Sequence, residues 1–302
     1  MPDRVQKLGY LTIALLLAAF LVEPSPANAA GGGIKIDLRV HGGYSRLAAS
    51  DVNEGSGGIL EFYKLIAEYG GYNYEGGYKP LHGGYEAGFD FVFLLGPRFG
   101  VGLGAGYLRS ASEGRLSMTS DTGEMSFDSR LVLSGLPVRL GVYYALPLGR
   151  RLSLTANAGA ALYVVRTFND HYSFEAGINW GSQDINADRF GFSDLGFQGG
   201  LGLDFRISST MGVFVEAQGR YAKLKNFGEV SITVASLEGG SQTREGKIYL
   251  RSQNLSTDPP VVFNTFVVES TPPAPDPPDI LIREPKFDFS GFCLQAGVRI
   301  RL

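Results

Sequence analysis

Few side chains in this 302-residue chain are placed to do chemistry, and the most suggestive run is His171-Tyr172-Ser173 with Glu175 behind it. Alternation along an extended segment sends residues two apart to one face, so imidazole, hydroxyl and carboxylate share a side. A Ser-His-carboxylate set is the equipment of ester hydrolysis, which makes a lipid-modifying hydrolase one reading. The trio lies in a polar stretch without a separately supported oxyanion site, so ordinary loop side chains are the simpler account and no catalytic activity is expected. His41, His82 and His171 fall in different segments, with neither a cysteine cluster nor a His-Glu-x-x-His run, so no metal site is expected. Glycines around Gly100 alternate but lack the lysine and helix of a phosphate-cradling loop, and no cofactor is expected. Cys293 is the single cysteine, which rules out an internal disulfide; its expected role is that of a small residue in a crowded wall. The 27 basic and 30 acidic residues give a net charge of -3 with no basic block, so nothing recommends nucleic acid as a partner.

The elements that would carry these residues alternate with a period of two. In the last stretch, Phe287 to Leu302, the residues Leu294, Ala296, Val298, Ile300 and Leu302 oppose Cys293, Gln295, Gly297, Arg299 and Arg301. The same pattern appears in Ile34–Tyr44 and in Tyr85–Phe93. In Phe99–Tyr107 every second residue is glycine. Further strands are expected over Leu136–Tyr144, Leu152–Tyr163, Leu195–Phe205 and Val213–Tyr221. In the stretch 126–145 the apolar parity changes between Leu133 and Leu136, and Gly135 with Pro137 predicts a bulge there.

Three connections are tight turns and all fall at one end, together with both termini of the strand set. The expectation is an all-β fold: an eight-stranded antiparallel transmembrane β-barrel with short periplasmic turns and long extracellular loops. A soluble barrel would turn its apolar face inward, whereas the inward set here, Lys35, Asp37, Arg39, Glu86, Asp90, Arg139, Asp204, Glu216, Arg220 and Arg299, is too charged for such a core; these residues are expected to form a polar lumen network, and the alternating glycines leave room for the arginines. Such an interior is packed, which disfavours wide conduction.

Arg4 and Lys7, an apolar run from Leu8 to Val22 and Ala27-Asn28-Ala29 predict a signal peptide over residues 1–29, leaving a barrel domain over 30–302. Two interruptions stand out, 46–82 and 226–285. The first holds a short helix expected near 58–68, then Tyr69, Tyr72, Tyr74 and Tyr78, which suit a membrane interface or a binding rim. A polar loop is expected from Phe168 to Ser193. The second long interruption ends in a proline-rich run, Pro272, Pro273, Pro275, Pro277 and Pro278, which is expected to be extended and weakly packed, as a lid or tether.

The runs FGVGLGAGY (99–107), Leu136-Pro137-Val138 and GVFVEAQGRY (212–221) resemble strands of the small bacterial outer-membrane barrels, the OmpW-, OmpX- and OmpA-like group. Gln295, Gly297, Ile300 and Leu302 resemble the insertion signal of that group, with aliphatic Ile300 and Leu302 where it prefers aromatics. The resemblance implies residence in the cell outer membrane, with lipid and the outer-membrane barrel assembly machinery as partners. It leaves open a structural role, slow passage of small solutes, and binding of an extracellular ligand or small apolar solute by the loops.

Overall fold

The structure, a computed structural model, describes residues 35–120, 123–191, 195–225, 227–255, 261–271, 273 and 280–302. The expected signal segment 1–29 lies outside these residues, as do Pro272, Pro275, Pro277 and Pro278. In chain order, β1 (Lys35–Leu47) is followed by helix α1 (Ser50–Gly70) and a short β2 (Asn73–Gly77). Next come β3 (Gly83–Leu94), β4 (Phe99–Ser120), β5 (Gly123–Pro147), β6 (Leu152–Ala176) and β7 (Asn179–Phe190). β8 (Leu195–Arg206), β9 (Met211–Tyr221), β10 (Lys223–Leu224), β11 (Val230–Ser236), β12 (Gly240–Leu255), β13 (Val261–Glu269), β14 (Ile280–Arg283) and β15 (Phe287–Asp288) precede the closing β16 (Gly291–Arg301).

Among the described residues, antiparallel pairing runs β1–β3–β4–β5–β6–β8–β9–β16 and returns to β1, closing a ring of eight strands. Val40, for example, sits opposite Phe89 on one side and Val298 on the other. The short β3–β4, β5–β6 and β8–β9 connections lie at the end where β1 begins and β16 finishes. The opposite, far end carries everything else. There β6 outlasts its neighbour β8, turns into β7, and the pairing continues through β11 and β12 to β13. Of the stretch 168–193, expected as a polar loop, residues 168–190 are therefore the β6–β7 hairpin, whose exposed polar side chains belong to the water-facing side of a sheet.

Strand β4 shows what organises the molecule. Its even residues point inward throughout: Gly100, Gly102, Gly104 and Gly106, then Leu108, Ser110, Leu116 and Met118. Its odd residues point outward: Phe99, Val101, Leu103 and Tyr107, then Arg109, Glu113 and Arg115. Leu103 is 50% exposed on the outside and Leu108, one turn of the pattern later, is 0% exposed on the inside. The register of β4 against β5 does not break, so the apolar face changes sides without any change in backbone parity.

The same exchange explains β5, where Leu131 and Leu133 are inside and Leu140, Val142 and Tyr144 are outside. The expected bulge is at the right height but on the other strand. Leu136 opposes Val165 and Pro137 opposes Tyr163, so Val164 of β6 is the extra residue. Proline offers no N–H, and a bulge in its partner accommodates that gap in the ladder. Beyond it the inward residues of β6 switch from Ala161 and Tyr163 to Arg166, Phe168 and Asp170.

Helix α1 is about twice the expected length. Its first half, SDVNEGSG, hides its periodicity behind glycine, which costs about 0.8–1.0 kcal/mol per residue relative to alanine. Those glycines serve packing: a Cβ at Gly55 would strike the Phe266 ring, and one at Gly58 the Asn264 carbonyl of β13. Gly71, at φ 69°, ends the helix, with the Tyr72 N–H returning to the Ala67 carbonyl at 2.9 Å. The far end is filled by two apolar clusters, one that includes Leu108, Leu131, Leu133, Phe168, Phe227, Phe287 and Phe289 and one that joins Leu60 and Ala67 of α1 to Leu116, Met118 and Phe127. Phe227 and Phe287 meet at a tilt of 41° with 3.9 Å between centroids, and Phe168 meets Phe287 edge-on at 5.0 Å.

Candidate functional site

Inward parity on a closed ring brings side chains from distant strands onto one axis, and here it produces three linked ion-pair groups. Glu86 of β3 is central to the first: its Oε2 accepts from Arg220 Nη1 of β9 at 2.7 Å and from Ser45 Oγ at 3.1 Å, while Oε1 lies 3.4 Å from Arg139 Nη1 of β5. Arg139 also reaches Asp90 Oδ1 at 3.3 Å, and Arg220 Nε donates to the Phe289 carbonyl at 2.9 Å. In the second group Arg39 Nη2 donates to Glu216 Oε2 at 3.0 Å, with its guanidinium 4.0 Å above the Phe214 ring. In the third, Arg299 forks onto both oxygens of Asp204 at 2.8 and 3.1 Å, and Arg301 forks onto Asp37 at 2.8 and 2.9 Å. Gly104 and Gly88 lie where a Cβ would collide with Asp90 and Arg139, so these two positions must stay bare for the network to close.

Of the ten residues expected in the lumen, Asp37, Arg39, Glu86, Asp90, Arg139, Asp204, Glu216, Arg220 and Arg299 are brought together and buried. Lys35 is not. It starts β1 at the tight-turn rim, where its side chain is exposed and leaves the lumen, because the ring ends beside it. His41 was overlooked by sequence reasoning that looked only for metal ligands. It is buried, 2.8 Å from Arg139 Nη2 and 3.3 Å from Asp90 Oδ2, and the signal that could have found it is its shared parity with Asp37 and Arg39. Of the four terminal residues that resemble an insertion signal, Gln295 Nε2 donates to Glu216 Oε1 at 2.9 Å and Gly297 lies against the Val40 carbonyl and the Phe214 ring. Ile300 pairs with Leu38 and Met211, and Leu302 is exposed while its N–H bonds the Ile36 carbonyl at 2.8 Å.

Above this network sits the cap built on α1. Asp51, in the first turn, accepts from both Nη atoms of Arg283 and from the Lys286 N–H. Burial pushes the Asp51 carboxyl up, but Arg283 and the Lys286 amide outweigh it and hold the group below the usual carboxylate range. On the other side of the helix, Ser56 Oγ donates to Asp170 Oδ2 at 2.8 Å, and Tyr172 OH donates to the Ser56 carbonyl. Asp170 is fully enclosed, and burial pushes its carboxyl up to about 7 despite the Ser56 hydrogen bond. Tyr78, expected at a rim, is folded under the helix, its hydroxyl 3.0 Å from Asn53 Oδ1; Tyr74 donates to Glu68 at 2.6 Å. Tyr69 and Tyr74 of that expected set are exposed, and on the barrel strands Tyr44, Tyr85, Tyr107 and Tyr221 are exposed as well. A cleft of about 430 Å³ opens between α1 and β13, with Glu54, Glu61 and Glu68 along one wall and Phe62 and Phe263 in ring contact at 5.0 Å.

The hydrolase reading finds different partners. His171 Nδ1 lies 2.6 Å from Asp184 Oδ1 on β7, with both side chains about two-fifths exposed, and no hydrogen bond described here joins it to Ser173 or Glu175. Glu175 is opposite Trp180 across the hairpin. Cys293 is buried in the wall opposite Ser45 of β1. Among the described residues there is also no group of three or more potential ligands that could hold a metal ion.

Residues 12–238 match the family model described as the outer membrane protein beta-barrel domain. The chain belongs to that family. Its place is the outer membrane, and the strands past residue 238 include β16, which closes the ring of this family member. No curated protein matches the chain by sequence. Among solved structures it is similar to the outer membrane protease OmpT from Escherichia coli, at TM-score 0.38 and 9% identity over 92% of this chain and 100% of that one. The RagAB peptide transporter is similar at TM-score 0.17 and 10% identity, over 73% of this chain and 40% of that one. Likenesses of this size carry no argument about activity.

Proposed function

We propose that this outer-membrane barrel protein is a sealed eight-stranded transmembrane scaffold, with its tight turns in the periplasm and its α1 cap outside. The outward belt that includes Leu103, Leu140, Leu201 and Val215 supports the membrane placement, and Tyr44, Tyr85, Tyr107 and Tyr221 suit its interface. The observation that carries the sealed lumen is Glu86 bridging Arg139 and Arg220 across the ring, directly beneath the core that contains Tyr163 and Phe289. An ion entering would have to part buried charge pairs and then displace a packed apolar plug.

Reconstitution in planar bilayers tests this, comparing the full chain with a variant lacking residues 256–283. Neither form is expected to show conductance steps, because the lumen network lies below the deleted segment. Steps in both forms overturn the sealed lumen; steps in the deletion alone make the cap a gate.

The cleft beside α1 favours a second reading, that the cap binds a small ligand, since 430 Å³ falls within the size range of small-molecule sites. Its three glutamates outnumber the single Lys64 in the lining, and with two phenylalanines they suit a cationic, partly apolar molecule. Rhodamine 6G is the probe: anisotropy titration of the nanodisc-embedded protein is expected to saturate, and Phe263→Ala to weaken binding about tenfold, one lost apolar contact being worth about 1.4 kcal/mol. Unchanged binding in that variant removes the cleft from consideration.

A further inference from the structure

We propose that the tight-turn end of the lumen is an anion-binding vestibule that takes a phosphate group. A cavity of about 120 Å³ lies there, lined by Arg39, Arg98, Arg206, Arg299 and Arg301 against the two carboxylates Asp37 and Asp204. The carboxylates are already engaged, Asp204 by Arg299 and Asp37 by Arg301. Arg39 is held by Glu216. Arg98 and Arg206 have no such partner: among the described residues no carboxylate pairs with either. The cavity therefore carries two guanidinium charges in excess of those its carboxylates balance.

Two buried donors mark the inner wall. Arg39 Nε and Thr155 Oγ1 belong to residues lining the cavity, and neither atom meets an acceptor. The Arg39 side chain is 7% exposed, so bulk water does not satisfy it freely. The donors approach from β1, β6, the β3–β4 turn and the end of β8, that is, from separate sides of the ring. A planar carboxylate presents two oxygens in one plane, whereas a tetrahedral phosphate presents several in different directions, and arginine forks onto phosphate with two parallel N–H bonds. The volume is also suitable: it equals roughly four times the liquid share of a water molecule, about 30 Å³.

A phosphate could come from a free inorganic anion or from the headgroup of a phospholipid packed round the rim, where Arg98 and Arg206 are exposed. The experiment separates the two. Full-length protein in neutral detergent is dialysed to equilibrium against radiolabelled orthophosphate, and the same preparation is examined by native mass spectrometry with phosphatidylglycerol and with phosphatidylcholine. The variants are Arg98→Gln/Arg206→Gln, at exposed positions, and Thr155→Val, which keeps the side-chain volume. None touches an ion pair of the lumen, and heat-modifiable electrophoretic mobility confirms that each is folded. Saturable orthophosphate binding, weakened at least about tenfold by the double arginine variant and several-fold by Thr155→Val, is the expected result. Phosphatidylglycerol adducts lost in the same variants, without orthophosphate binding, assign the site to a lipid headgroup. No saturable binding of either probe, or binding that is unchanged in the double variant, overturns the proposal.

Discussion

Near the tight turns, strand β4 keeps glycine inside and phenylalanine, valine and leucine outside; beyond Tyr107 it keeps leucine and methionine inside and arginine and glutamate outside. These two halves share one strand, one register and one parity. They differ in what surrounds them. The lower half has a narrow interior in which charged groups satisfy each other and an exterior suited to lipid, where every backbone group must already be paired within the sheet. The upper half encloses a core of the kind found in a soluble domain, made by α1 and by Phe227, Phe287 and Phe289, and presents charge to water. An apolar face is thus a statement about the solvent it meets, and one strand can meet two solvents.

The largest effect is expected from breaking the lower half at its centre. Glu86→Ala leaves Arg139 and Arg220 buried without their shared carboxylate, which is expected to cost about 3–5 kcal/mol. Urea unfolding of the detergent-solubilised protein, followed by heat-modifiable mobility, measures it; a loss under 1 kcal/mol would show that the lumen is wet enough to solvate both arginines.

A pair of substitutions on one face of β5 sharpens the comparison further. Leu140→Arg, at a side chain 59% exposed to the surroundings, is expected to cost about 2–4 kcal/mol in a bilayer. Val132→Arg has the same parity eight residues higher and is expected to stay within about 0.5 kcal/mol, as an arginine in water should. Refolding equilibria in lipid vesicles give both values, and equal costs would move the membrane boundary.

The smallest and most local effect concerns Asp170. Its carboxyl is pushed up to about 7 by burial, against the Ser56 and Tyr172 hydroxyls, whose hydrogen bonds favour the charged form. A raised carboxyl pKa stabilises the docked helix below the unfolded value near 4, and that stabilisation is lost as pH rises through 7. Hydrogen exchange in α1 is therefore expected to report easier opening at pH 8 than at pH 5, by at least about tenfold, the equivalent of one titrated pKa unit. Asp170→Asn should abolish the pH dependence while leaving the barrel strands unaffected.

How much of this was legible depends on the range of the interaction. In the lower half, side-chain alternation is a local property, so the ring strands and nine of the ten expected lumen residues could be read from parity. Lys35 follows the parity but lies past the end of the ring, which parity does not encode. The upper half was misread wherever packing partners are remote. The start of α1 is glycine-rich because β13 lies more than 190 residues away in sequence and presses against it. The change of apolar parity near Gly135 looked like a bulge in β5, whereas β5 runs straight, its surroundings change, and the extra residue is Val164 on its partner.

What the sequence by itself determined is the period-two pattern, the inward and outward faces at the membrane level, and the family those strands belong to, because the pleat converts neighbouring positions into opposite faces without reference to anything else. Only the tertiary structure decided which carboxylate meets which arginine, since Glu86 lies 134 residues from Arg220 and Asp37 264 from Arg301, and ring closure alone sets those distances. It decided equally that the far-end strands turn their apolar side inward. That choice follows from the helix and aromatic segments that cover them, and no local pattern in a strand records what will be folded on top of it.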